Sequence, residues 1–468
     1  MARLSLAPPA LDLAAGFVAI RAELGVAETF PPPVLAEAQA AAARTPRWAD
    51  RTDVPFVTID PPGSMDLDQA YWAGRRAGGY RLAYAIADVG SFVDPGGALD
   101  AETRRRGVTL YAPDRRVPLH PDVLGEGAAS LLPGQDRPAV LWTFDLDEAG
   151  EPVTVRVERA TVRSRAKLDY ASVQQQLDAK TAAEPLVLLR EIGLLREARE
   201  ADRGGVSLHT PSQEVVKTDT GYALAYVAPL PVEGWNAQIS LLTGISAAKV
   251  MLDGGIGLLR TMPPPDPRDV SRLRRSASAL KVAWPEGMTY AAFIRSLDPA
   301  QPAHAALLDL TKRLLRGAGY TAFDGAPPAI GAHSAIAAPY AHATAPLRRL
   351  CDRFVSEVVL ALQAGTEVPD WCRRSLPEVP ELMAGADRRE HELDRAVLDY
   401  VEAVVLAPRV GETFDAVVTE TDEKGGMVQL CEPAVRAPLR GAAPLGEEIR
   451  VRLTEADPAT RRVRFAPV

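Results

Sequence analysis

The stretch from Thr58 to Ala70 constrains this chain more than any other, because it sets three carboxylates at and just beyond the end of an apolar strand. Val54–Ile59 is rich in β-formers and delivers Asp60 at its end. A Pro61-Pro62-Gly63-Ser64 turn follows, then Asp66 and Asp68 at alternate positions. Alternate side chains of an extended segment share a face, and the turn can fold that face back toward Asp60. Three carboxylates converging in this way repel one another unless a divalent cation lies between them. Hard oxygen ligands of this kind suit Mg²⁺. Such an ion polarises a phosphodiester and activates water for in-line attack. The plainer alternative is an exposed acidic loop. The apolar residues around the aspartates and the flanking strand weigh against it.

Around this motif the chain divides into three segments. At 468 residues it is longer than one ordinary domain, and 47% apolar with 24% charged residues is a globular balance. Residues 1–50 read as two helices. Asp12 is a candidate cap for Leu13, Phe17, Ile20 and Leu24, with Gly25 at the end. Pro31–Pro33 open an alanine-rich helix to about Ala43. The pair is either a helix-turn-helix or a lead-in packed on the main body. Residues 51–405 begin with strands (Phe56–Asp60, Tyr80–Asp88) and continue with amphipathic helices. One runs from about Pro185 to Ala201, and another follows Pro263–Pro267 with Asp269 or Ser271 as caps. The fold class expected is therefore α+β. Residues 408–468 alternate with period two. Phe414, Ala416 and Val418 share a face, as do Ile449, Val451 and Leu453, and Val463 and Phe465. That pattern suggests a small OB-fold barrel. Arg450, Arg452, Arg462 and Arg464 lie opposite the apolar face and are candidate contacts to a phosphate backbone, or else an ordinary solvated face.

Several classes are excluded or disfavoured. No apolar run reaches the ~18 residues of a membrane span, and Met1–Ala10 lacks the regions of a signal peptide. Cys351, Cys372 and Cys431 are odd in number and far apart, which fits a reducing cytoplasm rather than a disulfide framework. The six histidines show no HxH or HExxH spacing, so zinc is not expected. With no Gly-rich phosphate loop, no nucleotide cofactor is expected either. The net charge of −8 leaves a nucleic-acid partner open, because a basic groove can sit on an acidic protein.

The aspartate run resembles the hallmark of the RNB (ribonuclease II/R) family. Further blocks follow in that family's order. Arg106-Gly107-Val108-Thr109-Leu110-Tyr111-Ala112-Pro113 with Val117-Pro118-Leu119 is similar to its RGxSxYLP…PML block. Arg163-Ser164 to Leu168-Asp169-Tyr170 resembles its next strand and turn. Tyr340 to Arg349, then Asp352, resembles its HxTSPIRRYxD block. The resemblance implies an RNB catalytic domain followed by an OB-fold module, and processive 3′-to-5′ hydrolysis of single-stranded RNA to nucleoside 5′-monophosphates with one or two Mg²⁺. It makes Asp60, Asp66 and Asp68 metal-binding or catalytic, Asp68 foremost. Tyr111 becomes an aromatic stacked near the RNA 3′ end. Arg348, with Arg349, holds the scissile phosphate, and Pro346 near a helix N1 position eases that placement.

The chain also departs from the pattern. The family's fourth acidic position is Gln69, a neutral candidate ligand. A glutamate of the next long helix aligns with Gln238. Ala345 and Leu350 replace a serine and a tyrosine, and Lys424-Gly425-Gly426-Met427 lacks an aromatic run. With only residues 1–50 before the catalytic segment, tandem cold-shock domains are not expected. Two function classes follow: an active exoribonuclease, or a catalytically weak RNA-binding protein on the same scaffold.

Overall fold

The computed structural model describes residues 13–46, 48–208, 211–218, 221–299, 301–422, 425–430 and 432–468. Asp12, His209, Lys424 and Cys431 lie outside the described residues. Helix α1 (Leu13–Glu23) buries Leu13, Phe17 and Ile20 in the main core and ends near Gly25, whose φ is +63°. Phe17 meets the rings of Tyr222 and Tyr400 edge-on at 5.4 and 5.9 Å. Helix α2 (Pro32–Ala42) puts Val34, Ala38 and Ala41 into a second cluster with Phe56, Leu67 and Leu99. The two helices thus bury their apolar faces at different places on the main body.

The strand-rich half is one sheet. It comprises β1 (Ala49–Asp50), β2 (Phe56–Asp60), β3 (Gln69–Arg76) and β4 (Gly79–Ala87). Helix α3 (Ala98–Arg106) and the short ribbon β5 (Leu110–Tyr111) and β6 (Arg116–Val117) follow. Then come β7 (Asp136–Leu146) and the 18-residue β8 (Pro152–Asp169). The order is β1-β8-β2-β3-β4-β7. β8 closes the sheet on itself: its first part pairs antiparallel with β7, and its last part runs parallel to β2, setting Asp60 opposite Asp169. At the β3–β4 turn, Gly79 has φ +144°, and a Cβ there would lie 2.1 Å from the Leu146 carbonyl oxygen, so only glycine fits.

Helices dominate the second half. These are α4 (Tyr170–Asp178), α5 (Glu184–Asp202), the hairpin β9 (Ser212–Thr218) and β10 (Gly221–Val227), and the 24-residue α6 (Pro231–Gly254). The chain continues through β11 (Ile256–Thr261), α7 (Pro267–Ala279), α8 (Tyr290–Arg295), α9 (Pro302–Thr311) and β12 (Gly319–Asp324). It closes this half with α10 (Leu350–Ala364), α11 (Asp370–Ser375) and α12 (Val379–Leu406). The cap of α7 is Asp266, not Asp269 or Ser271. Its carboxylate accepts from Arg268 N at 2.7 Å, because Pro267 fills the first helical position. No helix among the described residues is long and apolar enough to cross a membrane.

The last segment is a closed barrel of β13 (Thr413–Asp422), β14 (Gly425–Leu430), β15 (Arg436–Arg440), β16 (Glu448–Asp457) and β17 (Arg462–Pro467), ordered β13-β14-β15-β17-β16. Phe414, Ala416, Val418, Val451, Leu453, Val463 and Phe465 fill it, while Ile449 is only half-buried. The α+β architecture with a terminal OB-like barrel is the one the sequence leads one to expect. The expected basic face needs correction. Arg450, Arg452 and Arg462 are exposed, but Arg450 lies across from Asp415 and Arg462 from Asp457. Arg464 is ion-paired with Glu455 at 3.4 Å. Opposite charges across neighbouring strands make this face mixed in sign rather than a basic stripe.

Candidate active site

The aspartate loop is built by hydrogen bonds from elsewhere in the sheet. Gly63 (φ +85°) allows the turn in which Ser64 N donates to Pro61 O at 3.2 Å. Ser130 then clamps the loop: its Oγ accepts from Leu67 N at 2.9 Å and donates to Met65 O at 2.6 Å. Leu67 is fully buried in the second cluster, so its neighbours Asp66 and Asp68 turn the other way, and the charge of Asp66 reaches Asp60. Asp68 is 5% exposed; its Oδ1 accepts from Leu347 N at 2.8 Å, and its Oδ2 lies 3.5 Å from Arg348 Nε. Burial pushes the Asp68 carboxyl up to about 8, against the pull of Arg348 and the Leu347 N–H. Burial, then the charge of Asp66, raises Asp60 to about 6. Asp60 Oδ2 is buried with no hydrogen-bond partner.

Arg348 stands on a loop held in place by the block around Tyr111. Thr109 N donates to Arg348 O (3.0 Å), Leu350 N to Gly107 O (2.9 Å), and His120 Nε2 meets Pro346 O at 3.2 Å. The Arg348 side chain is 45% exposed and available to a ligand. Arg349 is not: its Nε and Nη2 bond the buried Asp352 carboxylate at 3.0 and 2.9 Å. Asp352 also accepts from Ala345 N at 2.7 Å. The expected phosphate role of Arg349 is therefore corrected to a role in shaping the loop. Pro346 is likewise not at a helix start, since α10 begins at Leu350. Tyr111 is 47% exposed, with Asp66, Arg348 and Asp68 near enough to act on its phenol.

Two polar positions behave differently from expectation. Gln69 was expected among the metal ligands, yet its Nε2 donates to Thr344 O at 2.7 Å and its Oε1 accepts from Tyr84 OH. It ties the sheet to the arginine loop. Gln238 faces Glu200, to which its Nε2 donates at 2.6 Å, on the far side of α6. Residues two apart on a helix point nearly opposite ways. Asn236 and Ser240 are the pair turned toward the site: Asn236 Nδ2 donates to Tyr170 OH at 3.2 Å, and Ser240 Oγ meets Thr344 Oγ1 at 2.6 Å.

Arg116 was missed altogether. Its Nη1 lies 2.6 Å from Asp66 Oδ2, and its Nη2 contacts Glu126 and, at 3.4 Å, Asp122. In sequence, Arg115-Arg116 reads as a solvated loop pair; only the β5–β6 register, which sets Arg116 opposite Tyr111, reveals it. With Asp66 drawn to Arg116, no three His, Cys, Asp or Glu side chains close around one point among the described residues. The convergence expected of the three aspartates is thus incomplete. The donor set nevertheless fits a hard divalent cation. The partnerless Asp60 oxygen and the buried, protonation-prone Asp68 are both groups that a cation would stabilise as carboxylates.

Known proteins match both the main body and the terminal barrel. Residues 49–364 match the RNB domain, and residues 412–468 match the RNase II-type exonuclease C-terminal S1 domain. The protein named Ribonuclease R from Thermotoga maritima is 25% identical over 460 residues, covering 91% of this chain and 63% of that protein. The chain spans from 42% to 63% of the length of such curated relatives. Among solved structures, Mycoplasma genitalium RNase R in complex with ribose-methylated single-stranded RNA superposes with a TM-score of 0.87 at 19% identity, over 98% of this chain and 78% of that one. Yeast Ssd1, described as a pseudonuclease, shares the fold with a TM-score of 0.74 at 17% identity, over 98% and 59%. A domain match over more than half the chain, from the strands that carry the aspartates to the loop that carries Arg348, shows that the chain belongs to the RNB family.

Proposed function

We propose that this protein is a metal-dependent exoribonuclease that hydrolyses single-stranded RNA processively from its 3′ end to nucleoside 5′-monophosphates. The observation that carries the reading is the meeting of distant segments: Asp68 is bonded to Leu347 N and lies 3.5 Å from Arg348. Relatives named Ribonuclease R, and a like-folded RNase R bound to RNA, support it.

Asp60, Asp66 and Asp68 would hold Mg²⁺, which when bound supplies an activated water and a polarised phosphate. The remaining work falls to the chain. Leu347 N–H fixes one oxygen of Asp68, leaving Oδ2 to act beside the Arg348 guanidinium. Arg348 bonds non-bridging phosphate oxygens and steadies the charge that grows on them during attack. Tyr111, exposed at the rim, stacks on a base near the 3′ end and thereby sets the register of the scissile bond.

A second reading has its own observations. Gln69 removes one negative charge, Arg116 occupies Asp66, and the pseudonuclease Ssd1 shows that this fold can exist without activity. One experiment separates the two readings: 5′-labelled single-stranded RNA incubated with Mg²⁺ or EDTA, using wild type and Asp68→Asn. Shortening from the 3′ end that needs Mg²⁺ and vanishes in Asp68→Asn, with RNA binding kept, is the expected result. Binding without shortening by the wild type would favour the RNA-binding reading.

A further inference from the structure

We propose that Arg116 is a resident counter-cation of the aspartate site, displaced from Asp66 when a divalent cation binds and then free to take an RNA phosphate beside Tyr111. The inference rests on the metal-dependent reading above. Three observations carry it. First, the Arg116–Asp66 pair, 2.6 Å apart with side chains only 19% and 14% exposed, occupies the one site aspartate that is not bonded to the arginine loop or left without a partner. Second, the same guanidinium already touches Glu126 and reaches Asp122 at 3.4 Å. It therefore has a second anionic berth and can leave Asp66 without being stranded. Third, the β5–β6 register sets Arg116 directly across from the exposed Tyr111, so the freed side chain emerges beside the stacked base.

The charge balance gives the arrangement its consequence. Asp60, Asp66 and Asp68 are countered by Lys167, Arg348 and Arg116, while Gln69 brings no charge. A cation that takes Asp66 Oδ2 competes with the Arg116–Asp66 pair, and linkage makes the effect reciprocal: a metal that takes that oxygen releases Arg116. Arg116 thus weakens metal binding in the free protein and strengthens RNA binding in the metal-loaded one. A merely structural ion pair would not produce that opposition of signs.

The test uses the full chain and calorimetric titration with Mn²⁺ alone, without RNA. Arg116→Gln should bind Mn²⁺ about three- to tenfold more tightly, the order expected when a partly exposed ion pair need no longer be broken. Arg116→Lys should stay near wild type, and Asp66→Asn should bind poorly. At saturating Mn²⁺, Arg116→Gln should hold a 2′-O-methyl oligouridylate more weakly, with a salt slope lower by about 0.7. Unchanged or weaker Mn²⁺ binding in Arg116→Gln, with Asp66→Asn impaired, overturns the proposal while the metal-dependent reading stands. Unchanged affinity for the oligouridylate overturns the phosphate role. If the wild type binds no Mn²⁺ at all, the metal-dependent reading itself falls.

Discussion

Replacing Gln69 separates a structural from a metal-binding role at the position where the chain departs most sharply from its family. The amide bridges two buried groups, donating to Thr344 O at 2.7 Å and accepting from Tyr84 OH. A carbonyl oxygen only accepts, so the orientation of the amide is fixed by its partner. Gln69→Leu leaves Thr344 O and the buried Tyr84 hydroxyl without partners. At about 1–3 kcal/mol for each buried unsatisfied group, offset in part by apolar gain, a loss of roughly 2–4 kcal/mol is expected. Gln69→Glu keeps the Tyr84 bond but aims a carboxylate oxygen at a carbonyl oxygen, near Asp60 and Asp68. It should cost about 1–3 kcal/mol at pH 8. The introduced carboxyl would have a raised folded pKa, so its penalty should shrink as pH falls and a proton restores a donor toward Thr344 O. Urea unfolding of both variants at pH 8 and pH 5.5, beside Mn²⁺ titration, reads these effects. A Gln69→Glu protein as stable as wild type at pH 8 that binds Mn²⁺ several-fold more tightly would refute the reasoning, and would return Gln69 to the metal's ligand shell.

Further outcomes follow from other parts of the structure. Burial holds His120 down at about 4, below its ordinary 6.5, although its bond to Pro346 O pulls the other way. The unfolded chain then takes the proton first, so the contribution of His120 is complete above pH 6.5 and is lost as pH falls toward 4. It amounts to ~3 kcal/mol in all. His120→Gln should flatten the pH profile of urea stability across that window; parallel profiles would show that the ring is not held neutral. Tyr111→Ala should change the length at which digestion stops, since stacking is worth about 1–3 kcal/mol per base; an identical product ladder would assign Tyr111 to packing. Changing Arg450, Arg452 and Arg462 together to Gln should lower the salt slope of RNA binding by about 0.7 for each that meets a phosphate. Arg464→Gln should change it little, because that side chain is held by Glu455; the reverse ranking would mean that the barrel meets RNA through another face.

The sequence by itself determined the strand that ends on Asp60, the period-two barrel, the two leading helices and the identity of the aspartate and arginine blocks. These features are local: a periodicity of 2 or 3.6, a Pro-Gly turn or an alternate-position pair is written in adjacent residues. Tertiary structure decided what those groups touch. Arg348 and Arg349 are neighbours with the same charge, yet Asp352, three residues on and buried, captures one and leaves the other half-exposed beside Asp68. Gln69 and Gln238 each looked like a lost carboxylate at the site. One was claimed by Thr344 and Tyr84, the other by Glu200 on a helix packed behind α6. Arg116 gave no signal in sequence, because its meaning depends on a strand register and on Asp66, fifty positions earlier. Electrostatic partners are chosen by proximity in space and by the burial that makes an unpaired charge costly, and neither is legible in the chain before it folds.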